Sequence, residues 1–152
     1  ESLASGLAAV ELHGRFEQLA QSPDIWIDVG HNALGARAIA ETLKGWKKNN
    51  AGQVHCVLAM LADKDAEAVA GELFATVSRW YCAGLSGDRG QTGRALAQRL
   101  LEITAKGSLE VFATVPEALK AARAAAKPED GILVFGSFLT ADEATEALHQ
   151  PA

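Results

Sequence analysis

The sequence predicts an α/β fold in three layers, a mostly parallel sheet with helices on both faces. Three observations point there. Short β-favouring apolar runs alternate along the chain with segments whose apolar residues recur at spacings of three and four. The connections between them are short. The run from Val54 to Leu61 is apolar almost throughout, His55 excepted, as expected of a strand covered on both sides.

Taken in order, residues Glu1 to Gln21 form an entry segment with Leu7, Val10 and Leu12, interrupted by a turn-like stretch from His13 to Glu17. Ile25, Trp26 and Ile27 make the first strand, which ends on Asp28. Leu34, Ala36, Ile39, Ala40, Leu43 and Trp46 predict a helix over about residues 33–48, with Asn32 as its cap and Lys47 and Lys48 suited to its carboxyl end. After the strand at Val54, Asp63 is expected to cap a helix whose buried face is Ala66, Val69, Ala70, Leu73 and Val77. Trp80 to Ala83 supply a third strand, followed by a glycine-rich loop over Gly84 to Gly93 and a helix through Leu96, Leu100 and Ile103. Leu109 to Phe112 form a short strand. Thr114 and Glu117 have capping-box spacing, with Pro116 in the first turn of a helix reaching about Lys127. Asp130-Gly131 turns into the last strand, Ile132 to Phe135, and Thr140 and Glu143 repeat the capping spacing ahead of a final helix. Five strands alternating with five helices give a Rossmann-like three-layer sandwich.

A chain of 152 residues with 49% apolar content fits one domain with a substantial core. Its formal charge of -5 disfavours nucleic acid or an anionic membrane as the main partner. There is no run of roughly 18 apolar residues and no signal-like start, so a cytoplasmic, soluble protein is expected. Cys56 and Cys82 lie in apolar strands far apart in sequence and read as buried reduced thiols. The chain begins at Glu1 without a methionine, within an uncommitted segment, and a fragment of a longer protein is expected.

The residues able to carry chemistry gather at predicted strand ends. Asp28 and His31, three apart across Gly30, can face one ligand from the carboxyl rim of the sheet, where open α/β folds place their ligands. The alternative is that Asp28 serves the turn backbone and His31 is merely exposed. Ser137, after the final strand, shares that rim, and its hydroxyl can serve either a ligand or the next helix. Arg15 is a lone cation whose guanidinium suits phosphate, unless it is simply solvated. Asp63-Lys64-Asp65 reads as a capped helix start rather than a metal site. His13, His31, His55 and His149 lack metal-ligand spacing, no metal site is expected, and His55 reads as a structural imidazole. No Gly-x-x-x-x-Gly-Lys-Ser/Thr run is present, so the chain has no P-loop to hold a triphosphate.

Taken together, Gly14-Arg15-Phe16-Glu17, Asp28-Val29-Gly30-His31-Asn32, Asp63-Lys64-Asp65, Arg89-Gly90-Gln91 and Val134-Phe135-Gly136-Ser137-Phe138 resemble the carboxyl-terminal domain of bifunctional dihydrofolate synthase/folylpolyglutamate synthase, in the Mur ligase superfamily. One departure, Ala33 where the family commonly has proline, affects only the first helical turn. The resemblance implies an ATP-dependent ligase that activates a carboxylate of dihydropteroate or of a folate as an acyl phosphate, which the amine of L-glutamate attacks. It implies that Arg15 contacts the ATP phosphates and stabilises charge in phosphoryl transfer, that Asp28 helps hold the nucleotide, and that His31 and Ser137 position glutamate. It further implies that the P-loop, the Mg2+ ligands and most of the pterin site belong to an amino-terminal ATPase domain outside these residues, the domain's partner, so that the 152 residues alone do not turn over. Two other readings stay open: a Mur-type amide ligase with a different acceptor, and a stand-alone Rossmann-like binding module.

Overall fold

The structure, a computed structural model, describes residues 15–104 and 108–149. Among the described residues the chain forms strands β1 (Glu17–Ala20), β2 (Asp24–Asp28), β3 (Val54–Leu58), β4 (Arg79–Ala83), β5 (Ser108–Phe112) and β6 (Gly131–Phe135). The helices are α1 (Ala33–Lys48), α2 (Ala66–Leu73), α3 (Gly93–Leu100), α4 (Val115–Ala125) and α5 (Phe138–His149). The six strands make one sheet in the order β1-β2-β6-β3-β4-β5, parallel except for β1.

Each parallel strand divides its side chains by the two-residue period of the pleat. Trp26, Cys56, Leu58, Trp80, Cys82, Leu133 and Phe135 point to the face covered by α1, α2 and α3. Ile25, Ile27, Val57, Tyr81, Ile132 and Val134 point to the face covered by α4 and α5. Both faces are therefore apolar, which is why the strands read as continuous hydrophobic runs. Both cysteines are free and buried, and burial pushes the Cys82 thiol up to about 12. No helix among the described residues is long and apolar enough to cross a membrane.

Six local expectations are corrected, two of them helix ends, since Val77 and Ile103 lie beyond α2 and α3. A sixth strand, β1, occupies part of the segment expected to be a turn and pairs antiparallel to β2, Glu17 opposite Ile27, with a register shift between Gln18 and Ala20. Phe16 precedes it with φ 44°, a left-handed residue that turns the chain into the strand. The cap of α2 is Asp65, which accepts from Ala68 N, while Asp63 forms an ion pair with Arg89 at 2.8 Å. Helix α5 begins at Phe138, before Thr140, whose own N–H is capped by Ser137 Oγ at 3.0 Å. Strand β3 ends at Leu58, earlier than the apolar run that continues to Leu61. The expected caps Asn32 and Thr114 are in place, accepting from Gly35 N and Glu117 N. Leu7, Val10, Leu12, His13 and Gly14 lie outside the described residues.

The strand order creates the feature that matters for function. From β2 the chain passes through α1 on one face to β3, moves outward to β5, then returns through α4 on the other face to insert β6 between β2 and β3. Loops leaving the adjacent strands β2 and β6 therefore run to opposite faces. Such a divergence opens a crevice at the carboxyl ends of the strands, the place where ligands bind in doubly wound sheets.

Candidate functional site

Asp28, the last residue of β2, is 4% exposed, and both of its carboxylate oxygens serve backbone groups. Oδ1 accepts from Gly30 N at 2.7 Å and Oδ2 from Phe16 N at 2.9 Å. Burial pushes this carboxyl above the ordinary aspartate value, against the pull of the Gly30 and Phe16 N–H groups and of the Arg15 charge. The carboxylate thus ties the β2 turn to the segment entering β1. Phe16 stacks on Trp26 at 5.1 Å, Trp26 meets Trp46 edge-on at 5.2 Å, and Trp46 Nε1 donates to Asp24 Oδ2 at 3.0 Å. This aromatic ladder fixes the backbone beside Arg15, whose guanidinium remains exposed at the rim. A Cβ at Gly30 would lie 2.9 Å from both Asp28 Oδ1 and the Phe135 ring, so only glycine lets the turn fold this closely.

The β6 exit is built with equal economy. Gly136 has φ +139°, and a Cβ there would fall 2.0 Å from Ala59 O, so the turn needs glycine twice over. Ser137 follows, buried. Thr140 Oγ1 donates its single proton to Ala59 O at 2.7 Å, so in the 2.7 Å contact between the two hydroxyls Ser137 is the donor. Ser137 Oγ also accepts from Thr140 N. Its proton is committed and one acceptor position remains.

Two clefts meet at this rim. The first, about 460 Å³, is lined by Arg15, Phe16, Asp28, Gly30, His31 and Leu34, among others. The second, about 250 Å³, is lined by His31, Leu61, Lys64, Arg89, Ser137 and Phe138, among others. The crevice thus brings Arg15, Asp28 and His31 into one cleft and joins His31 to Ser137 in the next. Arg15 and Ser137 sit in different clefts, on either side of His31. Asn32 is occupied as a cap, accepting from Gly35 N at 2.9 Å.

Sequence reasoning missed two side chains of the second cleft as site residues, Lys64 and Phe138. Arg89 is taken up by Asp63, whereas Lys64 makes no salt bridge among the described residues and supplies the cleft with a cation. The loop carrying it is clamped: Arg99 pairs with Glu67 at 2.9 Å and donates to Lys64 O, and Gln91 Nε2 donates to Met60 O at 3.0 Å. The signal available in the sequence was the motif Asp63-Lys64-Asp65 itself, whose lysine faces the rim only because β3 lies next to β6. Among the described residues no group of three or more His, Cys, Asp or Glu could hold a metal ion. What this arrangement can do is bind anions and a small polar ligand across a shared histidine.

Residues 14–138 match the family described as Mur ligase, glutamate ligase domain. The chain is 39% identical over 147 residues to dihydrofolate synthase/folylpolyglutamate synthase of Escherichia coli, covering 97% of this chain and 33% of that protein. The Yersinia pestis bifunctional folylpolyglutamate synthase/dihydrofolate synthase complexed with AMPPNP and Mn ion superimposes with a TM-score of 0.83 at 35% identity, over 95% of this chain and 33% of that one. A folylpolyglutamate synthase/dihydrofolate synthase with Mn, AMPPNP and L-glutamate bound gives a TM-score of 0.79 at 34% identity, over 90% and 32%. The chain spans about a third of the length of the curated relatives it matches.

Proposed function

The chain belongs to the Mur ligase glutamate ligase domain family, and from that premise we propose that it is the carboxyl-terminal domain of an ATP-dependent cytoplasmic ligase that adds L-glutamate to dihydropteroate and to folates. The supporting observation is the pair of adjoining clefts that share His31, one holding Arg15 and Asp28, the other Ser137 and Lys64.

In this reading the first cleft takes the nucleotide phosphates and the second takes glutamate. ATP, with Mg2+ held mainly by residues outside this chain, supplies the phosphoryl group that converts the acceptor's carboxylate into an acyl phosphate. Arg15 is exposed at the cleft, where its guanidinium can hold phosphate oxygens by two parallel hydrogen bonds and stabilise charge that develops during transfer. Asp28 helps hold the nucleotide by fixing the Phe16 N–H and hence the backbone that presents Arg15. Its carboxylate is too fully engaged to bind much else.

Glutamate brings an ammonium and two carboxylates. Ser137 Oγ has one free acceptor position and no free proton, so it suits the ammonium rather than a carboxylate. Lys64 complements a carboxylate in the same cleft. His31 lines both clefts, and as the group between amine and acyl phosphate it orients the nucleophile and can accept its proton. In this reading the rest of the site, with the P-loop and the metal ligands, belongs to a second domain of the full-length ligase.

The test is ADP release with Mg-ATP, dihydropteroate and glutamate. A full-length ligase carrying this domain is expected to need both acceptor and amine, and the 152 residues alone are expected to show no release. Ligation by the isolated chain, or release indifferent to dihydropteroate, contradicts the reading.

A further inference from the structure

Phe138 is one of several large apolar side chains exposed on the described surface, with Leu34 more exposed still, and it is set apart by its position. It opens α5 directly after Ser137, yet it is 66% exposed and belongs to neither core cluster. It lines three clefts at once: the one holding Arg15 and Asp28, the one holding Ser137 and Lys64, and a third of about 490 Å³ between Val29 and α5. The two clefts assigned to phosphate and amino acid have two lining residues in common, His31 and Phe138. One is polar and able to take a proton; the other is an apolar ring. The ring's placement is not left to chance, since Gly136 and the Ser137–Thr140–Ala59 hydrogen bonds fix the backbone immediately before it.

We propose that Phe138 is a positioning residue that seals the wall between the phosphate and amino-acid clefts, so that the acyl phosphate meets the amine of glutamate and not water. The inference rests on the ligase reading above. An acyl phosphate is open to a competing reaction: the oxygen of water adds to the acyl carbon, and the carbon–oxygen bond to phosphate breaks. Free carboxylate and inorganic phosphate leave, one of the water's protons ends on the phosphate and the other passes to solvent, and nothing is oxidised or reduced. Each such event consumes one ATP without forming an amide. An exposed ring beside His31 removes room for water while leaving the histidine free to serve the amine, a form of solvent exclusion that closing active sites exploit.

The measurement is the ratio of ADP released to amide formed in a full-length ligase carrying this domain, for native enzyme, Phe138→Ala, Phe138→Ser and Phe138→Leu. The native ratio is expected to be near one. Phe138→Ala and Phe138→Ser are expected to raise it severalfold, with thermal unfolding unchanged because the side chain lies outside the core, and Phe138→Leu is expected to restore it. A structural defect alone would lower both products together and leave the ratio where it was. If native enzyme ligates and the alanine and serine variants keep its ratio, the proposal fails while the ligase reading stands. If native enzyme forms no amide, the ligase reading falls and this inference with it.

Discussion

The two ends of the parallel sheet are built from similar residue types and end in opposite chemical states. At the amino-terminal rim, Asp130 accepts from Gln53 N, Lys127 N and His55 Nε2 at 2.9, 3.0 and 2.9 Å, and His55 Nδ1 meets the Tyr81 hydroxyl at 2.8 Å. These groups satisfy one another, and no buried side-chain polar atom among the described residues lacks a partner. At the carboxyl-terminal rim, Arg15 is exposed, His31 is half-buried between two clefts, Lys64 makes no salt bridge among the described residues, and Ser137 keeps one acceptor position. One rim uses an aspartate, a histidine and a hydroxyl to close the fold. At the other, Asp28 is filled in the same way by the Gly30 and Phe16 N–H groups, while His31 faces both clefts and Ser137 keeps an acceptor position. A polar side chain at a strand end can therefore meet a ligand directly only where its hydrogen-bonding capacity is not already filled, and Asp28, like Asp130, acts on the backbone instead.

That contrast can be broken first at the closed rim. Asp130→Ala orphans the buried His55 ring nitrogen and two backbone N–H groups, so the chain should lose on the order of 3 kcal/mol of stability, read from urea denaturation. An unchanged midpoint would mean the network is incidental. The rims overlap at Ser137, whose hydroxyl is partly structural and partly open. Ser137→Ala should cost about 1 kcal/mol through loss of the Thr140 N–H acceptor and also raise the glutamate KM of the ligase. A stability loss with no change in KM would move Ser137 to the scaffold.

The smallest effect expected is one of pH. At Asp130 burial acts to raise the pKa, but the Lys127 and Gln53 N–H groups and His55 together outweigh it and hold the carboxyl below the ordinary 3.8. A depressed carboxyl contributes stability that is present above the unfolded value and lost as pH falls through the folded one. Native protein should therefore lose stability more steeply below 3.8 than Asp130→Asn. Parallel curves in a pH series of denaturation midpoints would remove the ionised carboxylate from the account.

Local signals were legible in the sequence. The β2 run into Asp28, the Asn32 cap, the 33–48 helix and the Thr114 cap all depend on residues within a few positions of one another, and they stand as read. The misses are of two kinds. Asp63 and Asp65 offered the same cap chemistry two residues apart, and only the long-range pairing of Asp63 with Arg89 decides between them. Strand β1 is four residues long and gains its pairing from β2 through a shifted register, which periodicity does not reveal. The insertion of β6 between β2 and β3 is wholly non-local, and with it come the two adjoining clefts, the place of Lys64 and Phe138 within them, and the joining of His55, Tyr81 and Asp130. Candidate residues on the rim could be named from the sequence, and only the family resemblance divided them between nucleotide and glutamate; the residues' own chemistry did not.

The most direct test of the central claim, that one rim holds a phosphate cleft and an amino-acid cleft joined at His31, is a comparison of KM values in a full-length ligase carrying this domain. His31→Ala should raise the KM for glutamate at least tenfold with little change in the KM for ATP. Arg15→Ala should lower kcat about 100-fold, the scale of losing one preorganised group that stabilises transition-state charge, with little change in the KM for glutamate. If instead both variants raise the KM for ATP and leave that for glutamate untouched, the two clefts serve a single ligand and the division proposed here is wrong.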